Sequence, residues 1–283
     1  MRRAALVLAA ALLGAQAPAA LPAEEPLWEA GAGITVLDFP DYRGSKQSRA
    51  YVLPFPYFIY RGEFLRQDRN GLRGIFFRND AFDLNVSVGA SLPVESSKNE
   101  AREGMPDLKA SVEFGPSLDV RLWEAHDRRA RLELRMPLRG AVTVESHPRF
   151  IGGQFSPHLN LDVADPLGQH GWNLGMLAGP VFTDGRYNRH YYEVADEFAT
   201  PQRPAYTTGG GYAGMQYIVA LSKRYPRFWV GGFARYDTLA GSVFESSPLV
   251  TSKHYIAGGI GIAWILGESK ERVPVNPLGE PRR

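Results

Sequence analysis

The sequence feature that most restricts the fold is a long alternation of apolar and polar residues between positions 82 and 144. Apolar side chains occupy every second position from Phe82 to Leu92, and the alternation returns in segments 108–122 and 131–144. Because successive side chains of a β-strand point to opposite faces, this period of two predicts strands. They exceed the roughly 5–6 residues typical of globular sheets and match the about 9–11 residues that cross a bilayer at a tilt.

The polar faces of these strands carry full charges, which a β-sandwich core could not hold but the interior of a transmembrane barrel can. We predict that six charged side chains point into the lumen: Glu113, Asp119, Arg121, Glu133, Arg135 and Arg139. A hairpin centred near Asp127 would place Asp119 opposite Arg135 and Arg121 opposite Glu133. These charges indicate either an ion-selective pore or a salt-bridged plug that fills a narrow barrel.

The rest of the chain extends the pattern to an all-β, antiparallel transmembrane β-barrel over residues 24–267. Twelve strands are predicted, at 28–36, 51–60, 63–68, 72–78, 82–92, 108–122, 131–144, 150–163, 171–183, 204–224, 228–239 and 253–266. Connections after even-numbered strands are short and those after odd-numbered strands are mostly longer, which is typical of outer-membrane barrels with short periplasmic turns and longer outer loops. Ten strands is the alternative, if the hairpin around Asn70-Gly71 lies outside the wall.

Both ends of the chain are predicted to lie outside this barrel. The Arg2-Arg3 pair, the short apolar run at 4–13 and the Ala15-Gln16-Ala17 motif are typical of a secretory signal peptide, which we assign to residues 1–23. Residues 268–283 are polar and contain three prolines, so we predict a disordered periplasmic tail. The export signal and the barrel together predict the outer membrane of a Gram-negative bacterium.

Composition and motifs argue against several kinds of chemistry. The chain has no cysteine, so a disulfide framework, thiol catalysis and cysteine metal sites are excluded. Its net charge of +2 is dispersed, without the basic patch of a nucleic-acid-binding protein. None of the histidines has metal-ligand spacing, and the pairs Ser156/His158 and Ser252/His254 lack a hydrolase motif. We therefore expect a non-enzymatic protein without catalytic residues, cofactor or metal.

The longer loops contain the residue types that form interaction surfaces, above all tyrosine and arginine. We predict that seven loop residues contribute to such a surface: Asp41, Tyr42, Arg43, Arg102, Met105, Tyr191 and Tyr192. The alternative is that these side chains only pack over the mouth of the barrel.

Seven short segments, in order along the chain, resemble the MipA/OmpV family of outer-membrane proteins. They are PDYRGS at 40–45, AREGMPDL at 101–108, FGP at 114–116, PLR at 137–139, YYEV at 191–194, GGGY at 209–212 and SPLV at 247–250. The resemblance implies an outer-membrane barrel without known catalysis. The namesake of the family is described as a scaffold between a murein-degrading lytic transglycosylase and a murein-synthesising penicillin-binding protein, and other members as porin-like or adhesin-like.

Two functional hypotheses follow for a barrel embedded in outer-membrane lipid. The first is an adaptor that recruits a lytic transglycosylase and a penicillin-binding protein through its periplasmic turns and tail. The second is a porin-like channel, or a surface receptor or adhesin, that acts through the outer loops. A barrel hydrolase ranks last, because no motif for it is present.

Overall fold

The computed structural model describes residues 23–62, 65–68, 71–78 and 82–281, the second and third of these ranges as backbone only. The predicted signal peptide, apart from Ala23, and Asn70 of the predicted hairpin lie outside the described residues. The strands are β1 (Ala23–Pro26), β2 (Trp28–Pro40), β3 (Ser48–Arg61), β4 (Leu65–Asp68), β5 (Gly71–Arg78), β6 (Phe82–Ser91), β7 (Ser111–Glu124), β8 (Ala130–Thr143), β9 (Phe150–Phe155), β10 (His158–Ala164), β11 (Trp172–Thr183), β12 (Gly211–Arg224), β13 (Phe228–Thr238), β14 (His254–Glu268) and β15 (Arg272–Val275).

The main sheet closes on itself as an antiparallel barrel. Successive strands pair from β2 to β8 and from β11 to β14, and β14 pairs with β2. The gap between β8 and β11 is filled by β9 and β10 placed end to end, since both strands pair with β8 and both pair with β11. Of the thirteen described strands in this sheet, two therefore share one position, which leaves twelve positions.

This architecture confirms the prediction of an antiparallel transmembrane β-barrel. Each of the twelve predicted strands has a counterpart, and β4 and β5 lie within the wall, so the ten-strand alternative is wrong. The one predicted strand that is interrupted, 150–163, breaks at Ser156 and Pro157. Proline has no backbone N–H to donate to a ladder, which accounts for the break at this point.

Burial alternates along the strands with polar groups inside and apolar groups outside. On β8, Arg131, Glu133 and Arg135 are 4%, 7% and 6% exposed, whereas on β14 Ile256 and Ile260 are more than two-thirds exposed. This inverts the arrangement of a water-soluble protein and is typical of a wall in contact with lipid. The predicted cross-strand pairs are confirmed, since Asp119 is opposite Arg135 and Arg121 is opposite Glu133.

The two rims differ in the length of their connections. Segments 125–129, 165–171 and 225–227 are short turns, and they lie on the rim where β2 begins and β14 ends. The opposite rim carries the long segments 41–47, 92–110, 184–210 and 239–253, which include the single described α-helix, α1 (Gly185–Tyr192). The rim with short turns is the periplasmic one in outer-membrane barrels. No helix in the described ranges has the length and apolar character needed to cross a bilayer.

The prediction of a disordered tail is wrong for residues 268–281. Strand β14 continues to Glu268, and β15 then pairs antiparallel with β1, with Ala23 opposite Val275. Val275 is 1% exposed and Leu278 is also buried. Composition alone suggested disorder, but a wall with an even number of strands brings the segments that flank it to the same rim. There each supplies the backbone partners that the other lacks.

Candidate functional sites in the cap, the lumen and the periplasmic mouth

The outer mouth of the barrel is covered by a cap, which we define as segments 41–47, 92–110, 184–210 and 239–253. Its interior is a continuous apolar cluster with the upper wall: Tyr42, Val94, Leu108, Ala141, Ile151, Val181, Tyr191, Tyr192, Val194, Ala213, Leu239, Phe244 and Leu249. The Tyr192 and Phe244 rings stack with centroids 3.7 Å apart. The Tyr42 hydroxyl donates to the Leu249 carbonyl at 2.7 Å. The cap segments are therefore held together over the mouth by a packed core.

The cap brings together the seven loop residues that the sequence singled out. The Arg102 guanidinium donates to the Tyr191 carbonyl at 3.1 Å and lies 5.8 Å from the centroid of the Tyr42 ring. The Tyr192 hydroxyl donates to the Arg43 carbonyl at 2.9 Å, Asp41 forms an ion pair with Arg49 at 2.7 Å, and Met105 packs against the apolar cluster.

Burial dominates the electrostatics of these cap residues. It raises the pKa of Tyr42 to about 12 and lowers the pKa of Arg102. The side chains of Tyr42, Arg102, Tyr191 and Tyr192 are all buried, so they pack over the barrel mouth and do not form an exposed surface. That arrangement corrects the prediction of an outer interaction surface made of these side chains.

Beneath the cap lies a chamber of about 480 Å³ within the upper lumen. Its lining includes the predicted lumenal residues Glu113 and Arg139, which approach each other to 3.8 Å. It also includes Arg43 and Arg235, which both contact the buried carboxylate of Asp237, at 2.9 Å and 2.6 Å. The chamber thus combines charged groups with the aromatic residues of the cap.

Halfway down the lumen, charged side chains from three wall strands meet in a cluster that we call the ionic plug. Arg135 contacts Glu133 at 2.8 Å, Asp162 at 3.3 Å and Asp119 at 3.8 Å. Asn85 and Ser117 donate to Asp119 at 3.0 Å and 2.7 Å. The lumenal charges were compatible with an ion-selective pore or with a salt-bridged plug. The packing observed here is that of a salt-bridged plug. The remaining predicted lumenal charge, Arg121, lies apart from it and pairs with Glu124 at 3.8 Å.

The periplasmic mouth contains paired charged groups that the sequence analysis did not identify as a site. Arg131 on β8 donates two hydrogen bonds to Glu280 of the tail, at 2.5 Å and 2.6 Å. The fully buried carboxylate of Glu29 contacts Arg61 at 2.8 Å and Arg224 at 2.9 Å. We call β1, β15 and the Arg131–Glu280 contact the periplasmic clasp. The alternation rule could have identified Arg131, but no local signal marked Glu280 as its partner.

Neither of the serine–histidine pairs forms the contact that activates a hydrolase nucleophile. The His158 ring nitrogen lies 2.8 Å from the Ser156 carbonyl rather than its hydroxyl, and the Ser252 hydroxyl donates to the His254 carbonyl. Across the described ranges, no group of three or more histidine, aspartate or glutamate residues could hold a metal ion.

Comparisons with known proteins identify relatives over most of the chain. Residues 31–266 match the family model described as "MltA-interacting protein MipA". The chain is 25% identical over 213 residues to "Outer membrane protein OmpV" of Vibrio cholerae serotype O1 (strain ATCC 39315 / El Tor Inaba N16961), which covers 73% of this chain and 76% of that protein. The same identity and coverage relate it to "Outer membrane protein Omp26La" of Vibrio anguillarum.

Two solved structures are distant matches. A "Bacterial polysaccharide outer membrane secretin" aligns with a TM-score of 0.39 at 9% identity, over 84% of this chain and 99% of that one. The P. putida toluene transporter TodX aligns with a TM-score of 0.27 at 11% identity, over 87% of this chain and 68% of that one. Neither score is high enough to support a functional argument.

Proposed function

This chain belongs to the MltA-interacting protein MipA family and is an outer-membrane protein, and on that premise we propose that it is a non-enzymatic adaptor that anchors cell-wall enzymes at the outer membrane. The partner that we propose first is a lytic transglycosylase, in keeping with the family description. A penicillin-binding protein is the second. Both would bind on the periplasmic side.

The observation that carries this proposal is the periplasmic clasp. Strand β15 is tied to β1 along four residue pairs and to the barrel wall through Glu280 and Arg131. The exposed side chains of Lys270, Glu271, Arg272 and Pro274 are thereby presented by an ordered element. An ordered surface loses less conformational entropy on binding than a disordered tail does, which favours a stable complex.

The packing of the lumen favours an adaptor over a porin-like channel. A water-filled path would leave its lining side chains accessible to solvent, yet Asp119, Glu133 and Arg135 are each less than a tenth exposed. The apolar cluster of the cap adds a second barrier at the outer mouth. A receptor that used the seven loop residues would likewise need side chains that are accessible from outside. Four of the seven are buried: Tyr42, Arg102, Tyr191 and Tyr192.

A direct binding measurement tests the adaptor role. The purified full chain in amphipol is immobilised, and binding of a soluble lytic transglycosylase, and separately of a penicillin-binding protein, is followed by interferometry. We expect the double variant Lys270→Glu/Arg272→Glu to weaken transglycosylase binding at least tenfold, because it reverses two exposed charges of the clasp. The Arg272 contact with Glu268 is exposed and contributes little to stability, so the fold should be retained.

The matched control is Arg149→Glu, which reverses an exposed charge on the opposite rim, where the Arg149 side chain is 67% exposed. Binding by this variant should equal that of the wild type. Absence of wild-type binding to either enzyme, or an equal loss in the control, would contradict the proposal.

A further inference from the structure

We propose that the chamber beneath the cap is a binding site for a small aromatic monocarboxylate. The chamber is formed by the cap above and the wall around it, and its volume of about 480 Å³ falls within the roughly 300–1,000 Å³ of ligand pockets. Its charge, its unused hydrogen-bond donors and its aromatic lining each restrict the ligand.

Among the residues that the structure describes, the charged groups of the chamber sum to one positive unit. Arg43 and Arg235 share the single carboxylate of Asp237, to which Arg235 donates at 2.6 Å and 2.8 Å. The third arginine, Arg139, is balanced by Glu113, and the lining carboxylate of Asp41 is balanced by Arg49. Within the described part of the chain, the Arg43–Asp237–Arg235 triad thus retains one uncompensated positive charge, which favours a monoanion.

Two buried donors of the lining lack an acceptor within the described part of the chain. They are one terminal nitrogen of Arg43, Nη2, and the Nε of Arg139. Buried N–H groups of arginine are normally hydrogen-bonded, so both guanidinium groups have hydrogen-bonding capacity that the described residues leave unused. We assign the ligand carboxylate to Arg43, because its guanidinium belongs to the triad with the excess charge. Planar carboxylates match the guanidinium fork.

The rest of the lining favours an aromatic body for the ligand. The hydroxyl of Tyr187 already donates to Glu113 at 2.9 Å, that of Tyr255 to Asp237 at 2.6 Å and that of Tyr192 to a backbone carbonyl. Tyr187 and Tyr255, which are half-buried, therefore offer ring surface more than free hydroxyls, whereas the Tyr192 ring is buried against Phe244. Ring surface suits a flat apolar group, which stacks on it, better than a sugar that requires many hydrogen bonds.

Equilibrium dialysis of the full chain in amphipol, with radiolabelled probes, tests this assignment. Benzoate should be retained at about one molecule per protein, because it supplies both the carboxylate and the ring. Benzamide, which is neutral, and acetate, which has no ring, should each bind at least tenfold more weakly. Excess unlabelled benzoate should displace the label.

Variants locate the site. Arg43→Gln should weaken benzoate retention at least tenfold, and Arg43→Lys should restore part of it, because lysine keeps the charge without the fork. Arg149→Gln, which changes an exposed arginine outside the chamber, should leave retention unchanged.

Equal retention of benzoate and benzamide would overturn the proposal, as would equal benzoate retention by an unrelated barrel in amphipol. Unchanged retention by a folded Arg43→Gln variant would overturn it as well. If that variant does not fold, as judged by trypsin resistance, the comparison of the three probes on the wild type still decides the outcome. Binding of the transglycosylase does not enter this test, so the two proposals can fail separately.

Discussion

At the scale of single residues, His190 shows how the cap couples packing to protonation. Its ring lies against Tyr191 with the centroids 4.8 Å apart, and its Nε2 is buried. Burial is the main cause that lowers its pKa to about 4, and the nearby charges of Arg102 and Arg149 lower it further against the opposing effect of Glu145. The folded cap therefore disfavours the protonated imidazole.

We predict that the cap loses stability in mild acid because of this histidine. An unfolded histidine titrates near pH 6.5, so between pH 6.5 and about 4 the opened cap binds more protons than the closed one. The contribution of His190 to cap stability is fully present above this window and is lost as the pH falls through it. Amide hydrogen exchange of residues 184–210 should accelerate at pH 5 relative to pH 7, after correction for intrinsic exchange rates.

The variant His190→Phe keeps a ring beside Tyr191 and cannot be protonated, so its cap should show a much weaker acid effect. His147→Phe, a change at an exposed loop position, should behave as the wild type does. An acid effect of the same size in His190→Phe would show that other groups are responsible.

The same scale shows how much of the site could be predicted. Parity along a strand is a local property, which is why the register that sets Asp119 opposite Arg135 and Arg121 opposite Glu133 could be predicted. Loop residues have no such period. Arg102 and Tyr191 meet although they lie 89 positions apart, and nothing local to either residue encodes that contact.

At the scale of elements, the tail is where composition was misleading. Residues 272–275 are polar or proline at two of four positions and yet form β15, because β1 offers a matching backbone edge. The wall strands carry their own alternating signal. A four-residue strand carries almost none, and its existence depends on a partner from the opposite end of the sequence.

We predict that Glu280 keeps β15 in position. The variant Glu280→Gln removes the charge from a bidentate contact with Arg131, and hydrogen bonds to charged groups contribute roughly 1.5–3 kcal/mol. Release of the tail by trypsin, which cleaves after Lys270 and Arg272, should become about tenfold faster. Mass spectrometry of the released fragment provides the measurement.

The matched control for the tail is Glu268→Gln, which alters an exposed carboxylate in contact with Arg272 and Arg224. Its cleavage rate should stay within about twofold of the wild type, because exposed ion pairs contribute little. Equal rates in Glu280→Gln and the wild type would mean that the pairing of β1 and β15 holds the tail without the lumenal contact.

At the scale of the whole molecule, the cap, the ionic plug and the periplasmic clasp divide the lumen into compartments. We predict that the purified protein gives no steady conductance in planar bilayers, because the described lumen has tightly packed side chains at its centre and an apolar cluster at its outer mouth. A porin reconstituted in parallel serves as the positive control. A stable, reproducible open state of the wild type would restore the channel hypothesis.

The pairing of β1 with β15 has a further consequence for how the molecule is made. Strand β1 precedes every strand of the wall and β15 follows every one of them, so their contact exists only after the whole wall has been synthesised. A chain cut short before Arg272 would leave β1 without its partner and Arg131 without Glu280. The clasp can therefore form only in a chain whose synthesis has passed every strand of the wall.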